Sequence, residues 1–476
     1  MRGALVAATA ALLVSGCIDL APPYHRPTSP VPAAFPAGQA YAPAAEAAVV
    51  GWRAFFSDPK LKTVIERALA NNRDLRIAVA NIAIARAQYH VQRAALFPTV
   101  GANLSATYGQ TPTSVVQGAV TAPGQSSAVN ERLYSATVGV SAWQLDLFGK
   151  VRDLSRAAQE QYFASRQARD AAQITLVSEV AADYLTLGAD RSLLAIARAT
   201  QASGQDSLDL TTKRLNAGVA SGLDVSQAQT IVEQARFDVA RLTTQVAQDR
   251  NALELVVGAP VADDLLPAGA DVDIVVLARL PGALSSQVLL SRPDVLQAED
   301  ILRGANADIG AARAAYFPSI SLTGSGGFTS LALSSLFTGP AATWSFIPQI
   351  SQTIFDGGAR RGNLDLARAQ RDLDVAQYEK SVQTAFRETA DALAQRGTVE
   401  EQLAAQVALV AANRQALALA EARYERGADT YLNVLIAQRA TYAAEQTLVA
   451  AKLARQTSMV TLYGALGGGL DTPGAG

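Results

Sequence analysis

The sequence predicts a mainly α-helical protein with a β-barrel part, built from a duplicated half-molecule. Each half is expected to hold two transmembrane β-strands and one long α-helical hairpin. Three observations predict this. The chain repeats itself in constant register, and two long proline-free stretches are rich in helix-forming residues. Four charge-free segments of about ten residues alternate between apolar and small polar side chains, the period of a strand.

The repeat is read directly. Arg93-Ala94-Ala95-Leu96-Phe97-Pro98 returns 220 positions later as Arg313-Ala314-Ala315-Tyr316-Phe317-Pro318. The same offset pairs Asp74 with Asp294, Ala78 with Ala298, Ala85 with Ala305 and Ala87 with Ala307. Further on the offset is 209, pairing Gly149 with Gly358, Arg152 with Arg361, Glu179 with Glu388 and Arg214 with Arg423. It also pairs Gly218 with Gly427, Val225 with Val434, Gln229 with Gln438 and Gly258 with Gly467. The slip of 11 residues falls between Pro98 and Gly149. Solenoid units run roughly 20–50 residues, so this longer period marks two half-molecules with the same structural job.

The amino-terminus opens with Arg2 and an apolar run over residues 4–14, then Leu13-Val14-Ser15-Gly16-Cys17. The run is too short to span a bilayer and reads as a secretory signal. The five residues resemble a bacterial lipobox, in which the cysteine is diacylated and becomes the new amino-terminus. An ordinary signal peptide with an incidental cysteine gives the same residues. Two acyl chains anchor stably where one is marginal. Ile18 follows the cysteine; bacterial lipoproteins kept in the inner membrane carry an aspartate there, so this chain reads as bound for the outer membrane. With Cys17 acylated, no disulfide can form. Residues 21–43 are rich in Pro and Ala and read as an extended arm.

A helix then runs to Pro98, and its counterpart to Pro318, each stopped because proline lacks an N–H and clashes with the preceding turn. Strand segments follow. Val100, Ala102, Leu104, Ala106 and Tyr108 alternate with Gly101, Asn103, Ser105 and Thr107; Ala136, Val138, Val140 and Ala142 alternate with Ser135, Thr137, Gly139 and Ser141. In the second half, Ile320 and Leu322 alternate with Ser319, Ser321 and Thr323, and Phe346, Ile350 and Ile354 with Ser345, Gln349, Ser351 and Thr353. One apolar and one small polar face is the pattern of outer-membrane strands between lipid and a watery lumen. A half-buried sheet of a soluble protein alternates in the same way; the lipobox and the missing charges favour the membrane. Four strands cannot close a barrel, for which about eight is the minimum. Open edges cannot be left in lipid, so several copies must pool their strands. Three copies would supply twelve.

After the strands, residues 149–259 and 349–472 contain no proline and are rich in Ala, Gln, Arg and Leu, which favour helix. The equivalent glycines Gly218 and Gly427 are the natural breaks of two helical hairpins. Residues 150–217 as one helix would be roughly 100 Å long. A plain coiled-coil rod explains the helices but not the strands.

Composition limits the chemistry. Net charge is −2 with no basic block, so nucleic acid is not an expected partner. Two histidines and one cysteine leave little material for a metal site or a nucleophile–base pair, so no catalytic, cofactor or metal residues are assigned.

Several motifs point to one family. Pro23-Tyr24-His25-Arg26-Pro27 is the first, followed by Trp52-Arg53-Ala54-Phe55-Phe56-Ser57-Asp58-Pro59-Lys60-Leu61 and Asn72-Arg73-Asp74-Leu75. Arg292-Pro293-Asp294 through Ala305-Asn306-Ala307-Asp308-Ile309-Gly310-Ala311-Ala312-Arg313 is the most specific, with Ile354-Phe355-Asp356-Gly357-Gly358 and the terminal Leu462-Tyr463-Gly464-Ala465-Leu466-Gly467. Over essentially all of residues 17–468 the chain resembles the TolC/OprM-type outer-membrane efflux channels, in their lipoprotein (NodT-like) branch. The resemblance implies a homotrimer with a twelve-stranded outer-membrane barrel, a periplasmic α-helical barrel and a collar. It implies a passive exit duct for drugs or other toxic small molecules, docked to a periplasmic adaptor and an inner-membrane pump. The implied division is a signal peptide at 1–16, a lipidated arm and collar at 17–57, and a first repeat at 58–258 with strands about 98–108 and 134–146 and a hairpin at 149–258. A collar segment follows at 259–291, then a second repeat at 292–467 with strands about 318–328 and 344–355 and a hairpin at 358–467, and a tail at 468–476.

In that family the hairpin turns form a constricted periplasmic entrance. The resemblance places Asp224, Tyr424, Leu432 and Arg439 on gate positions, with Asp429 in the second turn. Two family acidic positions fall on Asn433 and Ile436, so the acidic ring is weakened. Asp224 can equally serve as a helix N-cap, and Arg423 or Arg439 can balance its charge. A type I protein-secretion duct or a metal-efflux duct shares the fold; the second is disfavoured by two Met and two His. A structural coiled-coil envelope lipoprotein is the reading from another class.

Overall fold

The computed structural model of the chain describes residues 18–41, 51–112, 128–270 and 285–469. The expected signal peptide, Cys17, residues 271–284 of the collar segment and most of the tail lie outside them. The helices are α1 (Trp52–Phe55), α2 (Pro59–Asn71), α3 (Arg73–Ala94), α4 (Lys150–Asn216), α5 (Gly222–Val257), α6 (Pro293–Ala314), α7 (Ala359–Glu425) and α8 (Tyr431–Ala465). Strands β1 (Val100–Pro112) and β2 (Ala128–Leu145) precede α4, and β3 (Ser319–Ser330) and β4 (Ala342–Ser351) precede α7. Contacts divide the chain into two units.

The first unit contains the four strands as one antiparallel sheet in the order β1-β2-β3-β4. The cross-strand register shows the two faces. Val100, Val140, Gly324 and Phe346 stand in one row, and Ala102, Val138, Gly326 and Trp344 in the next. Between them run Gly101, Gly139, Ser325 and Ser345. The polar face is stitched by Ser105 to Ser135 at 2.7 Å and Ser325 to Ser345 at 2.8 Å. The apolar face is uncovered, with Trp344 81% and Leu104 76% exposed. β1 and β4 are open edges.

Three readings of the strands are corrected. Ala142 does not continue the apolar set: the pairing with β3 jumps from Val140 to Trp143, and Ala142 has a φ of 49°. One extra residue reverses the alternation, so Trp143 and Leu145 share the apolar rows of Leu322 and Ile320. β4 ends at Ser351, leaving Ile354 outside the sheet, while β1 and β2 pair out to Pro112 and Ala128, beyond the expected limits of 108 and 134.

The same unit pins the start of the chain. The N–H of Ile18 donates to the Leu147 carbonyl at 3.2 Å, and Arg156 pairs with Asp19 at 3.0 Å. Asn306 and Arg313, from the most specific family motif, donate to the carbonyls of Pro22 and Leu20 at 2.7 and 3.1 Å. Asp153 is fully buried beside this strap, and its carboxyl is raised to about 6, by burial first and then by the charge of Asp19.

The second unit contains α2, the hairpins α4–α5 and α7–α8 over their parts in this unit, and their turns. Its largest core packs Trp52, Phe56, Leu61 and Ile65 against Val177, Val180, Tyr184, Leu253, Val257 and Tyr463. The helix expected ahead of the first strand is broken at Asn72, whose backbone is extended. The Asn72 side chain accepts from the Leu75 N–H and donates to the Val256 carbonyl, both at 2.8 Å, so it caps α3 and ties it to α5. Asp58 caps α2 through the Lys60 N–H and accepts from the Tyr184 hydroxyl at 3.1 Å. Arg292 is buried and holds Asp294, Glu388 and the Ala465 carbonyl together.

The duplication is visible in the backbone. Gly149 and Gly358 have φ of 80° and 93°, Gly218 and Gly427 of 75° and 69°, and Gly258 and Gly467 of 73° and 84°. Each repeat position is left-handed in both copies, where a Cβ is strained.

Candidate functional site

The two hairpin turns close alike. The N–H groups of Gly218 and Val219 donate to the carbonyls of Leu215 and Arg214, and those of Gly427 and Ala428 to Tyr424 and Arg423, all at 2.9–3.0 Å. This is a Schellman closure, which satisfies the last carbonyls of α4 and α7 and needs a left-handed residue at each glycine.

The helices that restart after the turns are capped differently. In the first, Ser221 is the N-cap of α5 and Asp224 is the third helical residue. The Asp224 carboxylate accepts from the Ser221 N–H at 2.8 Å, and the Ser221 hydroxyl accepts from the Asp224 N–H at 3.2 Å. Asp224 therefore works in a capping box rather than as the cap itself. At the repeat-equivalent positions stand Thr430 and Asn433, and Thr430 makes no side-chain cap. Asp429 takes over, accepting from the Thr430 N–H at 2.8 Å, from Asn433 at 2.6 Å and from Arg423 at 3.1 Å. Those three contacts, the Thr430 N–H first, hold its carboxyl below the usual aspartate value. The loss of an acid at Asn433 is thus matched by the gain of one at Asp429.

Between the hairpins lies a small core. Tyr424 and Tyr431 meet edge-on, 5.4 Å between ring centroids, and pack with Ala228, Ile231, Val434 and Leu435. Arg214 lays its guanidinium 4.3 Å over the Tyr424 ring and donates to the Tyr424 carbonyl at 3.1 Å. Arg439 donates to Thr230, its own repeat equivalent, at 2.9 Å; Gln438 donates to Ser207 at 3.2 Å, and the Tyr442 hydroxyl to Asp238 at 3.0 Å. The arginines proposed to balance Asp224 are engaged elsewhere in the chain, Arg423 with Asp429 and Arg439 with Thr230.

The gate candidates thus divide. Gly218 and Gly427 set the turns, Asp224 completes the cap of α5, Asp429 holds the Thr430 N–H and is itself held by Asn433 and Arg423, and Tyr424 and Arg439 join the hairpins. Leu432 and Ile436 are 47% and 56% exposed, with Val219 and Leu223 also exposed in the first turn. Arg214, Ser221 and Tyr431 escaped the sequence reading. Comparing the repeats marks Tyr431, because the first half has Gly222 at its position. Among the described residues no group of three or more His, Cys, Asp or Glu is placed to hold a metal ion.

Residues 64–259 and 284–468 match the family described as outer membrane efflux protein, in two stretches that follow the two repeats. The chain belongs to the outer membrane efflux protein family. It is 46% identical over 98% of its length, and 96% of the relative's, to the toluene efflux pump outer membrane protein TtgC of Pseudomonas putida. It is 41% identical to the outer membrane protein OprJ of Pseudomonas aeruginosa, over 98% of this chain and 96% of that one. Among solved structures, a membrane protein from Pseudomonas aeruginosa matches with a TM-score of 0.87 at 39% identity, covering 96% of this chain and 99% of that one. The open state of the MtrE channel of Neisseria gonorrhoeae matches with a TM-score of 0.84 at 35% identity, covering 95% and 98%. Two of these are named as an efflux pump outer membrane protein and an outer membrane channel. Membership gives the uncovered face of the sheet a setting, the outer membrane.

Proposed function

We propose that the chain is the outer-membrane duct of a tripartite efflux system, exporting antibiotics, solvents or similar toxic small molecules. Three copies close one barrel, and the hairpin turns meet a periplasmic adaptor coupled to an inner-membrane pump. The observation that carries this is the sheet: four strands with an uncovered apolar face, a polar face and two open edges. Only closure with other copies satisfies such edges in lipid. A stretch of α7 long and apolar enough to cross a membrane is only 6% buried in one chain, which supports burial against other copies. The gate in this reading comprises Asp224, Tyr424, Asp429, Leu432, Asn433, Ile436 and Arg439. Cys17 carries the lipid anchor, one residue before the pinned Ile18. The relatives' names, toluene and antibiotic efflux pumps, support the cargo class.

The test is threefold symmetry by electron microscopy of detergent-extracted protein, together with ion conduction in planar bilayers. A stable monomer with intact strands would sink the assembly. For the anchor, mass spectrometry of the mature amino-terminus decides: an unmodified Cys17 rules the lipid out.

A further inference from the structure

The loop between β3 and β4, residues 331–341, is built the wrong way round for water. Its large apolar side chains face out: Leu331, Leu333 and Phe337 are 72%, 63% and 71% exposed. Its polar groups turn in. The Ser335 hydroxyl donates to the Ala332 carbonyl at 3.1 Å and meets the Ser330 hydroxyl at 2.6 Å, and Thr338 donates to the Ser335 carbonyl at 2.7 Å. The N–H groups of Ser335, Leu336, Thr338 and Ala341 each bond a carbonyl three residues back, around short 3₁₀ turns at Leu333–Ser335 and Gly339–Ala341. No charged residue occurs between Arg313 and Asp356. Polar groups satisfied within the segment, with apolar groups outward, is what hydrocarbon demands of a chain.

The height of the loop on the sheet agrees. The apolar rows run from Leu145, Ile320 and Ile350 up to Tyr134 and Ser330, ten residues along β3. At about 3.3 Å per residue and a tilt of about 40°, that rises about 25 Å, the height of an outer-membrane apolar band. The loop therefore leaves the sheet at the outer boundary of the band, where the Tyr108 and Tyr134 hydroxyls meet at 3.0 Å. Tyrosines favour that level because one end is apolar and the other wet. β1 and β2 continue past it for six more residues, about 15 Å, to Pro112 and Ala128. The direction of the loop is set by Phe337, which packs edge-on against Phe328, 5.7 Å between centroids. Phe328 stands in the row of Leu104, Ala136 and Ala342 on the apolar face. β3 lies inside the sheet, so the loop leans over that face and not off the β4 edge, where another copy would join.

We propose that the β3–β4 loop is a lipid-contact site, lying along the outer water–hydrocarbon boundary with Leu331, Leu333 and Phe337 against acyl chains. This placement rests on the outer-membrane reading of the sheet. Held there, the loop fixes the depth of the barrel in the membrane.

The test places a nitrobenzoxadiazole dye at single cysteines in the full-length channel, reconstituted in phosphatidylcholine vesicles. Leu331→Cys, Leu333→Cys and Phe337→Cys probe the loop, Leu104→Cys the apolar face of the sheet, and Gln110→Cys the strand above the boundary. The unaltered chain, taken through the same labelling, subtracts any dye on Cys17. Quenching by phosphatidylcholine with a nitroxide high on one acyl chain should be within about twofold of that at Leu104 for all three loop sites. Quenching by iodide on both sides of the vesicle should be several-fold weaker there than at Gln110. If the Phe337 variant shifts the loop, Leu331 and Leu333 decide, since neither side chain is buried. Loop dyes quenched by iodide as at Gln110, with Leu104 quenched by nitroxide, put the loop in water and overturn the proposal alone. Loop dyes shielded from both quenchers show a neighbouring copy covering it, and also overturn it. If Leu104 itself escapes the nitroxide, the membrane reading of the sheet falls and takes the loop with it.

Discussion

Replacing Arg214 by methionine isolates what joins the two hairpins near their turns. Methionine keeps an apolar stem of similar length and removes the guanidinium from the Tyr424 ring, 4.3 Å away, and from the Tyr424 carbonyl, 3.1 Å away. A hydrogen bond from a charged donor contributes about 1.5–3 kcal/mol. Stacking of an arginine on an aromatic ring adds about 0.5–2 kcal/mol. Arg214 is half-buried, which places the sum toward the lower end, about 2 to 3 kcal/mol per chain. At 1.4 kcal/mol per tenfold, that shifts the balance between joined and splayed hairpins by roughly 30- to 150-fold. Single-channel recording in planar bilayers should show a larger open fraction for Arg214→Met, with Arg214→Lys between it and the unaltered chain, since lysine keeps charge but not the flat fork. Tyr424→Leu removes the ring and leaves its carbonyl, so the double-mutant cycle should return only the stacking part, about 0.5–2 kcal/mol. An open fraction unchanged in Arg214→Met, with zero coupling to Tyr424→Leu, would refute the reasoning.

Asp224→Ala should fray the start of α5 by about 1 kcal/mol, seen as faster hydrogen exchange at residues 221–225, because half of a capping box is lost. Leu432→Ser should raise conductance by thinning the exposed apolar turn, and recordings equal to the unaltered channel would place the constriction elsewhere. Asp153 has a folded value of about 6 against an ordinary 3.8, so its stabilising contribution is full below pH 3.8 and is lost as pH rises through 6. Protease resistance of residues 18–24 should fall across that window, and Asp153→Asn should flatten the change. Ala142→Gly should raise thermal stability slightly, since glycine adopts a φ of 49° without strain, whereas Ala142→Val should lower it.

The helix limits were legible because punctuation is local. Gly218 and Gly427 end their helices through their own backbone, whatever packs nearby. The faces of the sheet were legible up to Val140, where the alternation runs unbroken; the bulge at Ala142 leaves no mark in a residue type that suits either face. Asp224 was misplaced by three positions within its cap, because serine and aspartate both fit and only the backbone angle decides. Tyr431 and Arg214 stayed hidden for another reason. Their roles depend on which faces of two hairpins meet, more than 200 residues apart in sequence. Only the repeat comparison, glycine in one copy and tyrosine in the other, hints at such a contact.

The open edges β1 and β4 carry a genetic consequence for a ring of three copies. Each copy offers β1 to one neighbour and β4 to the other, so the contact is head-to-tail and the ring has no spare junction. A copy whose β1 edge is blocked spoils every ring it enters. Expressed equally with the unaltered gene, it should leave roughly one ring in eight intact, the cube of one half, if copies mix at random in a closed trimer. Such an allele would be dominant, poisoning export well beyond its own share of the protein.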